Sequence, residues 1–386
     1  MIHGGPRLSE ASHVVDRLLR LDHCSALKDP RQAWKVLYPL PEILLTVLCA
    51  TMAGAEDFAD VERWGKRKLD FLRRFLPFER GIPSHDTLND VMNALPAGLF
   101  SDCFIAFVSS LRDKDPDIVA IDGKSSRRAH AAGGAPLHLV SAWAARQRLV
   151  LGQQAVEGKS NEIVAIPRLL ERLELTGALV TIDAIGCQRD IAAAVRAKGA
   201  DYLVALKDNW PALAEEVRLF FEREQGREDE IFTCVEGDHG RIETRRCRVS
   251  ADVGWLSTNR RFPGEPRFPG LAMIGMIEAQ VEREGRMTTS RRYYLSSALL
   301  PPEQFAAAVR AHWGVENRLH WVLDVIFHDD LMRLRTQNGP ANMAVVRHFI
   351  LNLIKDIPDK ASLKTRRKTL GWDDAYLADA LTQPWK

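Results

Sequence analysis

The feature that most constrains this chain is a pair of short, wholly apolar runs that each end at an aspartate. Residues 118–121 (IVAI) lead into Asp122, and residues 178–182 (ALVTI) lead into Asp183. Such runs are typical of strands buried in a parallel sheet, and a helical pattern separates the two. If the strands are neighbours, both carboxylates emerge at one sheet edge, about 5 Å apart. The sequence therefore predicts an α/β core with two acids at its edge.

The pattern around these runs completes the predicted core. Residues 137–143 and 148–156 predict two strands joined as a hairpin, and residues 202–206 predict another strand. Residues 188–198 and 211–224 have the period of amphipathic helices. The predicted fold is thus α/β: a mixed sheet flanked by helices.

Shifts in composition divide the chain into five predicted segments. The charged, proline-containing stretch RDKDPD marks the first boundary, and short bursts of alternating polar and apolar residues mark a β-rich insertion. The segments are an all-helical N-terminal domain (1–112), the first part of the catalytic core (113–224), the insertion (225–300), the second part of the core (301–358) and a basic C-terminal tail (359–386).

Composition indicates a cytoplasmic protein. The six cysteines are scattered without a C-x-x-C pair, which argues against a zinc ribbon and a disulfide framework. The N-terminus lacks a signal-peptide pattern, and the most apolar run, residues 43–55, is too short to span a bilayer. The net charge of +2 excludes a global electrostatic argument for nucleic acid, so any such argument depends on local patches.

Basic patches occur in three of the predicted segments. The N-terminal helices have basic outer faces, which fit either DNA binding or a packing or dimerisation role. The insertion interleaves arginines with Trp255, Tyr293 and Tyr294, which suits phosphates and unstacked bases but also fits an ordinary exposed sheet. The basic tail is either a phosphate contact or a solvated end.

Residues 302–330 predict one long helix that carries a candidate acid. Pro301 and Pro302 suit a helix start. Glu316 is in phase with an apolar stripe formed by Phe305, Val309, Leu319 and Leu323. An acid on a core face is costly unless it is paired or bound to a metal. Glu316 therefore either joins the two aspartates or lies at the edge of the stripe and pairs with Arg310 or Arg318.

Three carboxylates would make a metal site for phosphodiester chemistry. Asp122 and Asp183 repel each other unless a proton or a cation joins them, and Glu316 would complete an all-oxygen set of the kind that Mg²⁺ prefers. Mn²⁺ is the expected substitute. Two such ions activate a water or a 3′-hydroxyl and stabilise the leaving oxygen. A lone Asp-Gly is usually a turn, and Asp324, Asp329 and Asp330 are alternative third acids.

Several long motifs resemble one known family. In order, and over nearly the whole chain, they are PLPEILLTVLCATMAGA, GIPSHDTLNDVM, VAIDGKSSRRA, KSNEI, TIDAIGCQRDIA, GADYLVALKDN, HGRIETR, YYLSS and AHWGVENRLHWVLDVIFHDD. The chain resembles the ISAs-type insertion-sequence transposases, also called H-repeat-associated proteins. These are DDE transposases with an RNase H-like core.

The resemblance implies a bacterial mobile-element protein that acts on DNA. It implies binding of the element's terminal inverted repeats, cleavage at the element ends and joining of 3′-hydroxyls to target DNA. The family's acidic triad falls on Asp122, Asp183 and Glu316. Synapsis of two ends implies a homodimer, and DNA binding implies association with the nucleoid.

Further DNA contacts are predicted around the triad. Lys124 and Lys207 are candidate phosphate contacts, and His239 and Arg241 in the insertion either touch DNA or form a structural turn. Related hairpin-forming transposases carry Y-x2-R-x3-E-x6-K around the glutamate, which this chain lacks, so the resemblance assigns the phosphate-positioning roles to Arg310, His312 and Asn317. His312 and His320 are also predicted to hold Glu316 in place.

Two rival interpretations stay open at this stage. The first is an inactive or domesticated DNA-binding remnant of a transposase, against which the intact triad argues. The second is an RNase H-like nuclease that cuts DNA without joining strands.

Overall fold

A computed structural model describes most of the chain, namely residues 27–113, 115–126, 136–156, 162–223, 231–238, 241–258, 268–283, 285–331 and 334–382. The described part of the N-terminal segment is helical, as predicted. Its helices are α1 (Leu40–Met52), α2 (Phe58–Arg67), α3 (Leu69–Leu72), α4 (His85–Ala94) and α5 (Ala97–Leu111). A 3₁₀ turn (Ala33–Lys35) precedes them.

The core is a mixed sheet whose first five strands follow the predicted element order. They are β1 (Ile118–Ser126), β2 (Leu137–Ala144), β3 (Leu149–Val156), β4 (Leu179–Ile182) and β5 (Asp201–Leu206), in the spatial order β3-β2-β1-β4-β5. β1 runs parallel to β4, which runs parallel to β5, while β2 is antiparallel to β1 and β3. This arrangement confirms the predicted α/β class and its RNase H-like sheet.

Helices connect and cover these strands. They are α6 (Glu162–Arg172), α7 (Arg189–Ala197) and α8 (Pro211–Arg223). The crossover through α6 joins β3 to β4 and allows β4 to lie parallel to β1, because parallel strands need a long connection.

The insertion is β-rich, as predicted, but it is not a separate sheet. It contains β6 (Ile231–Asp238), β7 (Arg241–Ser250), the short helix α9 (Trp255–Thr258), β8 (Met273–Arg283) and β9 (Arg286–Ser296). β9 pairs antiparallel with β5, so the strands that the structure describes form one nine-stranded sheet, β3-β2-β1-β4-β5-β9-β8-β7-β6. The sequence indicated the strands but not this continuity.

The prediction of one helix over residues 302–330 is wrong. The segment comprises α10 (Pro302–His312), a π-helical turn (Glu316–His320), α11 (Trp321–Ile326) and a 3₁₀ turn (Asp329–Leu331). The break falls at Trp313, next to Gly314, a residue that disfavours helix interiors. His328 has a φ of 55°, which a right-handed helix cannot accommodate.

The residues predicted as a basic tail fold largely as helices. After α12 (Gly339–Asp356) come α13 (Leu363–Trp372), which Ser362 caps, and α14 (Asp374–Thr382). The buried guanidinium of Arg367 donates to the carbonyl oxygen of Ile326 and to that of Thr51. The end of the chain therefore packs against α1 and the segment that carries Glu316.

Among the described residues, no single helix has the length and apolar character needed to cross a membrane. Helices α4 and α5, bent by 86° at their junction, meet such a test only as a pair.

Helix α10 packs closely against the insertion strands at Gly275. A Cβ at this β8 position would lie 2.5 Å from Cζ of Phe305, whose ring is fully buried. We expect Gly275→Ala to lower the free energy of unfolding by about 1 to 3 kcal/mol, because the ring cannot move without overpacking the core. Urea unfolding measures this, with Gly98→Ala as the control, since a Cβ at Gly98 meets nothing within 4 Å. Equal effects of the two changes would contradict the packing described here.

Candidate active site

The two aspartates lie on neighbouring parallel strands, as predicted. Ile121 pairs with Ile182, so Asp122 and Asp183 occupy equivalent positions at the same end of β1 and β4. The prediction that the first strand ends at Asp122 is wrong, because β1 continues to Ser126 along its antiparallel partner β2.

The carboxylate of Asp183 organises the loop that follows β4. Its Oδ1 accepts hydrogen bonds from the backbone N–H groups of Ile185 (3.0 Å) and Gly186 (3.3 Å). β4 ends at Ile182, and this Asx-type turn follows it directly. It fixes one oxygen of Asp183 to the loop.

Glu316 opens the π-helical turn and faces outward. The prediction that it lies on the buried face is wrong: its side chain is 65% exposed, although Leu319 and Leu323 of the predicted stripe are buried. Glu316 therefore lies at the edge of that stripe. Glu316 nevertheless reaches the aspartate edge. Its Oε2 lies 3.1 Å from Nδ1 of His320, and that nitrogen lies 3.5 Å from Oδ2 of Asp122. Single-turn π-helices often occur at functional sites.

Asp122, Glu316 and His320 form a cluster whose donor atoms all lie within 4.8 Å of one another. Asp183 is not part of that cluster; it follows β4, the strand next to β1. The structure thus brings Glu316 to Asp122 through His320, and it places the third acid of the predicted triad one strand away.

The surroundings of Asp122 at this edge of the sheet disfavour an ionised carboxylate that has no bound cation. Burial raises the pKa of Asp122 to about 7, and the charges of Asp183 and Glu316 add to this, while the N–H of Gly123 opposes it. Burial lowers the pKa of His320, against the effect of Glu316. A divalent cation would offset the repulsion among the carboxylates, so Asp122 and Glu316, with His320 beside them, fit a site for a divalent cation.

The second predicted positioning histidine, His312, contacts a different element. Its Nδ1 lies 3.1 Å from Oγ1 of Thr181 on β4, and the charge of Asp183 acts on it. Burial lowers the pKa of His312. His312 therefore contacts the strand that leads to Asp183, whereas the sequence predicted that it would hold Glu316.

Lys124 lies in an acidic cluster. Its Nζ is 2.6 Å from Oδ1 of Asp324 and 3.5 Å from carboxylate oxygens of both Asp329 and Asp330. Its side chain is only 11% exposed. This placement argues against the predicted phosphate contact, and it also ties up Asp324, the rival third acid.

The remaining predicted DNA contacts are spread over the surface. Arg310 pairs with Glu236 of β6 (2.6 Å), and the amide of Asn317 contacts the carbonyl oxygen of Trp313 (3.4 Å). Lys207 is exposed just after β5. His239 lies outside the described residues, as does the side chain of Arg241.

Sequence reasoning missed two residues that shape the loop after Asp183. The amide of Asn209 donates to the carbonyl oxygen of Ala184 (2.7 Å), and Nε1 of Trp210 donates to that of Cys187 (2.7 Å). The signal was available in the motif GADYLVALKDN, which ends at Asn209. Both contacts join the end of β5 to the loop that carries Asp183.

A buried pair behind Asp122 was also missed. Nε2 of His138 lies 2.5 Å from Oε1 of Glu162, and Nδ1 lies 2.7 Å from Oγ of Ser125. A Cβ at Gly123 would come within 2.6 Å of Oε1 of Glu162. Because Gly123 has no side chain, His138 and Glu162 can pack directly against β1. This gives a physical reason for the Gly of VAIDGKSSRRA and the Glu of KSNEI.

A large groove of about 950 Å³ lies between the insertion strands and the helical segment that carries Glu316. Its basic lining residues are Arg245, Arg292, Arg310 and Arg318. The guanidinium of Arg292 lies 4.9 Å from the ring centroid of Trp313, whose surface is 49% exposed. Arg245 and Arg310 are paired with Glu236 and Glu243 of the same lining, whereas Arg292 lies against the accessible aromatic face of Trp313, near the turn that carries Glu316.

A mixed sheet with acids at the same end of two parallel strands, and a third acid on a helical segment packed beside them, defines the DDE class of DNA-processing proteins. Comparison with protein families agrees with this class. The model described as "Transposase DDE domain" matches residues 113–353, and the model described as "DDE_Tnp_1-associated" matches residues 21–108. The chain belongs to the DDE transposase family.

Two curated relatives are similar over different lengths of the chain. The H repeat-associated putative transposase YhhI of Escherichia coli (strain K12) is 36% identical over 370 residues, which cover 94% of this chain and 97% of that protein. The inactive transposase YbfQ of the same strain is 47% identical over 73 residues, which cover 19% of this chain and 87% of that protein.

One solved structure also has a related shape. It is the piggyBac transposase synaptic complex with hairpin DNA, at 11% identity and a TM-score of 0.42, over 98% of this chain and 81% of that one. A TM-score this low does not establish a shared fold.

Proposed function

We propose that this protein is a DNA transposase of a bacterial insertion sequence. It binds the terminal inverted repeats of its element, cleaves DNA at the element ends and joins the freed 3′-hydroxyls to target DNA. The catalytic residues in this proposal are Asp122, Asp183 and Glu316. The observation that carries it is the partly desolvated carboxylate of Asp122, with Asp183 on the next strand and Glu316 linked to it through His320.

The same three carboxylates would hold Mg²⁺, with Mn²⁺ as a substitute. When bound, the metal activates the attacking water or 3′-hydroxyl and stabilises the leaving oxygen. The protein's own contribution is to orient the ligands. His320 contacts both Glu316 and Asp122, and the backbone turn at Ile185 and Gly186 holds Asp183.

DNA would run through the arginine-lined groove towards Glu316. Cations that line a groove concentrate an anionic polymer there, and the exposed ring of Trp313 offers a stacking surface for a base. Lys207, Arg310 and Asn317 are the predicted contacts that stay compatible with this path, since each lies at the surface. The near-neutral overall charge makes such local patches the basis for binding.

Synapsis of two element ends would need two copies of the chain, so a homodimer on paired ends is part of the proposal. Sedimentation of the protein with and without paired end DNA tests this. A complex that contains one protein copy for two ends would contradict it. The proposed location is the cytoplasm, on the nucleoid when DNA is bound.

Product analysis separates this proposal from its two rivals. We expect the protein, with Mg²⁺ and DNA that bears the repeats flanking its gene, to yield joined products in which an element 3′-end is covalently linked to target DNA. Cut ends without joined products, even when pre-cleaved ends with free 3′-hydroxyls are supplied, would favour a nuclease. Specific binding without cutting would favour an inactive remnant. The relative YbfQ bears the name of an inactive transposase.

A further inference from the structure

A cleft on the far side of the π-helical turn from the large groove carries a second cationic cluster. It has a volume of about 460 Å³ and lies between the β2–β3 turn, the π-helical turn, the end of α12 and the start of α13. We call it the Lys355 cleft and define it by Arg148, Asn317, Arg318, Lys355 and Arg366. We propose that it binds a backbone phosphate of the DNA strand that passes Glu316. This proposal deepens the proposed function and rests on it.

Three cations converge on this cleft from three different elements. Arg148 comes from the hairpin turn, where its φ of 57° is sterically unfavourable for a residue with a side chain. Arg318 comes from the π-helical turn, two residues after Glu316, and Lys355 comes from the last turn of α12. Because Arg148 and Lys355 are 207 residues apart in the chain, only folding brings them together.

Lys355 is held in place without an acidic partner. Its Nζ lies 3.7 Å from the ring centroid of Trp143 and 3.4 Å from the carbonyl oxygens of Arg148 and Arg318, at the outer limit for a hydrogen bond. Within the part of the chain that the structure describes, no ion pair joins Lys355 to a carboxylate. Burial, followed by the charges of Arg148 and Arg318, lowers the pKa of Lys355 well below its ordinary value, and a bound phosphate would oppose this shift and favour the charged ammonium.

The other basic residues nearby differ from Lys355 in this respect. Arg366 donates to Oδ1 of Asp359 at 2.6 Å, and Lys124 is surrounded by carboxylates. Asp356 also lines the cleft, and its single negative charge is smaller than the summed charge of the three cations. Cations that folding brings together repel one another, and a bound anion would offset this repulsion. A phosphate supplies both the negative charge and the acceptor oxygens.

The position of the cleft indicates which phosphate this is. The cleft and the large groove share Asn317 and Arg318 in their linings, so both adjoin the π-helical turn. A strand that leaves the groove past Glu316 reaches the Lys355 cleft next. A phosphate held there would fix the register of that strand relative to the carboxylates, because backbone contacts position DNA without reading its sequence.

Salt-dependent DNA binding tests this proposal. Lys355→Met keeps the length of the side chain but removes the ammonium that lies over the ring of Trp143, and Arg148→Gln is a second variant on an exposed residue that lines this cleft but not the large groove. The control is Lys198→Met, whose ammonium contacts the carbonyl oxygen of Glu171 outside the cleft. We expect the slope of log K against log salt for element-end DNA to fall by about 0.9 in each cleft variant, as for one lost phosphate contact, and to stay unchanged in the control.

The outcomes separate this proposal from the proposed function. If wild-type protein binds and cleaves end DNA and both cleft variants keep its slope, the phosphate site is wrong and the transposase proposal stands. If wild-type protein binds no DNA, the proposed function itself fails. Thermal stabilisation by inorganic phosphate that Lys355→Met abolishes, without any change in DNA binding, would show a free-anion site and overturn the DNA assignment. Unchanged thermal unfolding of the variants in the absence of anions checks that they are folded.

Discussion

A Glu316→Gln protein is expected to lose more than about 100-fold of its metal-dependent DNA cleavage rate, whereas Asp324→Asn keeps most of its activity. Glu316 reaches Asp122 through His320, but Asp324 is paired with Lys124 at 2.6 Å. Loss of an outer-shell partner typically costs 10- to 100-fold at a metal site, so loss of a direct ligand costs more. Both changes replace a carboxylate with an amide of the same shape, so they differ in position and not in chemistry.

Single-turnover cleavage of end DNA by the two variants, side by side with wild type, measures this difference. Because Glu316 is 65% exposed, its substitution leaves the unfolding transition unchanged, and thermal unfolding serves as the control for folding. A fully active Glu316→Gln protein beside an inactive Asp324→Asn protein would transfer the third acid to Asp324. That outcome would contradict the site described here.

An Asp329→Asn protein is expected to be destabilised by about 3 to 5 kcal/mol. Asp329 and Arg347 are 3% and 4% exposed, and their side chains are joined at 2.9 Å. Removal of one partner of a buried pair leaves the other charge uncompensated, which costs several times more than the net contribution of the pair. Ser126 also donates to Asp329 at 2.8 Å, so the change weakens the tie between β1 and α12 as well.

Chemical unfolding of Asp329→Asn measures this effect, and Asp330→Asn is the matched control. The neighbouring Asp330 is 28% exposed and lies 3.5 Å from Lys124, so its loss should cost less than about 1 kcal/mol. Similar losses for the two variants would contradict the assignment of Asp329 as the buried anchor.

The pH dependence of stability should also reflect the carboxyl group of Asp329. Burial raises the pKa of Asp329, but Arg347, Lys124 and Ser126 outweigh it and hold that pKa below the ordinary value of 3.8. The folded state therefore binds fewer protons than the unfolded state in this range. The stabilisation is complete above the ordinary value and is lost as the pH falls through the lower folded-state pKa. Wild type should lose more stability in acid than Asp329→Asn does.

The sequence predicted the aspartate edge because its signal is local. The runs that end at Asp122 and Asp183 are apolar throughout, and their period and length specify buried strands whose pairing follows from the crossover between them. That pairing and the β-rich nature of the insertion are confirmed by the structure. The catalytic roles of the three acids stay predictions.

The local helix pattern failed at Glu316 because it assumes one unbroken period. Leu319 and Leu323 are buried, as the stripe predicted, but Glu316 begins a π-helical turn, whose spacing differs from that of an α-helix, and its side chain is exposed. The partners of Lys124 were equally beyond local reasoning. Asp324 lies 200 residues further along the chain, and a lysine next to a candidate catalytic acid looks the same in sequence whether it contacts phosphate or carboxylate.

The pairing of β9 with β5 was missed for a related reason. Both strands were visible as alternating or apolar runs, but nothing local specifies that Leu203 lies opposite Ser296. Long-range register depends on how complete faces pack. In this chain it extends the catalytic sheet into the insertion.

We propose that Asp122, with Asp183 and Glu316, forms a metal-dependent DNA-cleaving centre. The most direct test is cleavage of DNA bearing the repeats that flank this gene, with Mg²⁺ or Mn²⁺ and with chelator, by wild type and by Asp122→Asn. We expect site-specific nicks that need the metal and vanish in the variant, while the variant still binds the DNA and unfolds no earlier than wild type, because a desolvated charge has been removed. Nicks of equal yield from both proteins, or from wild type without any metal, would contradict it.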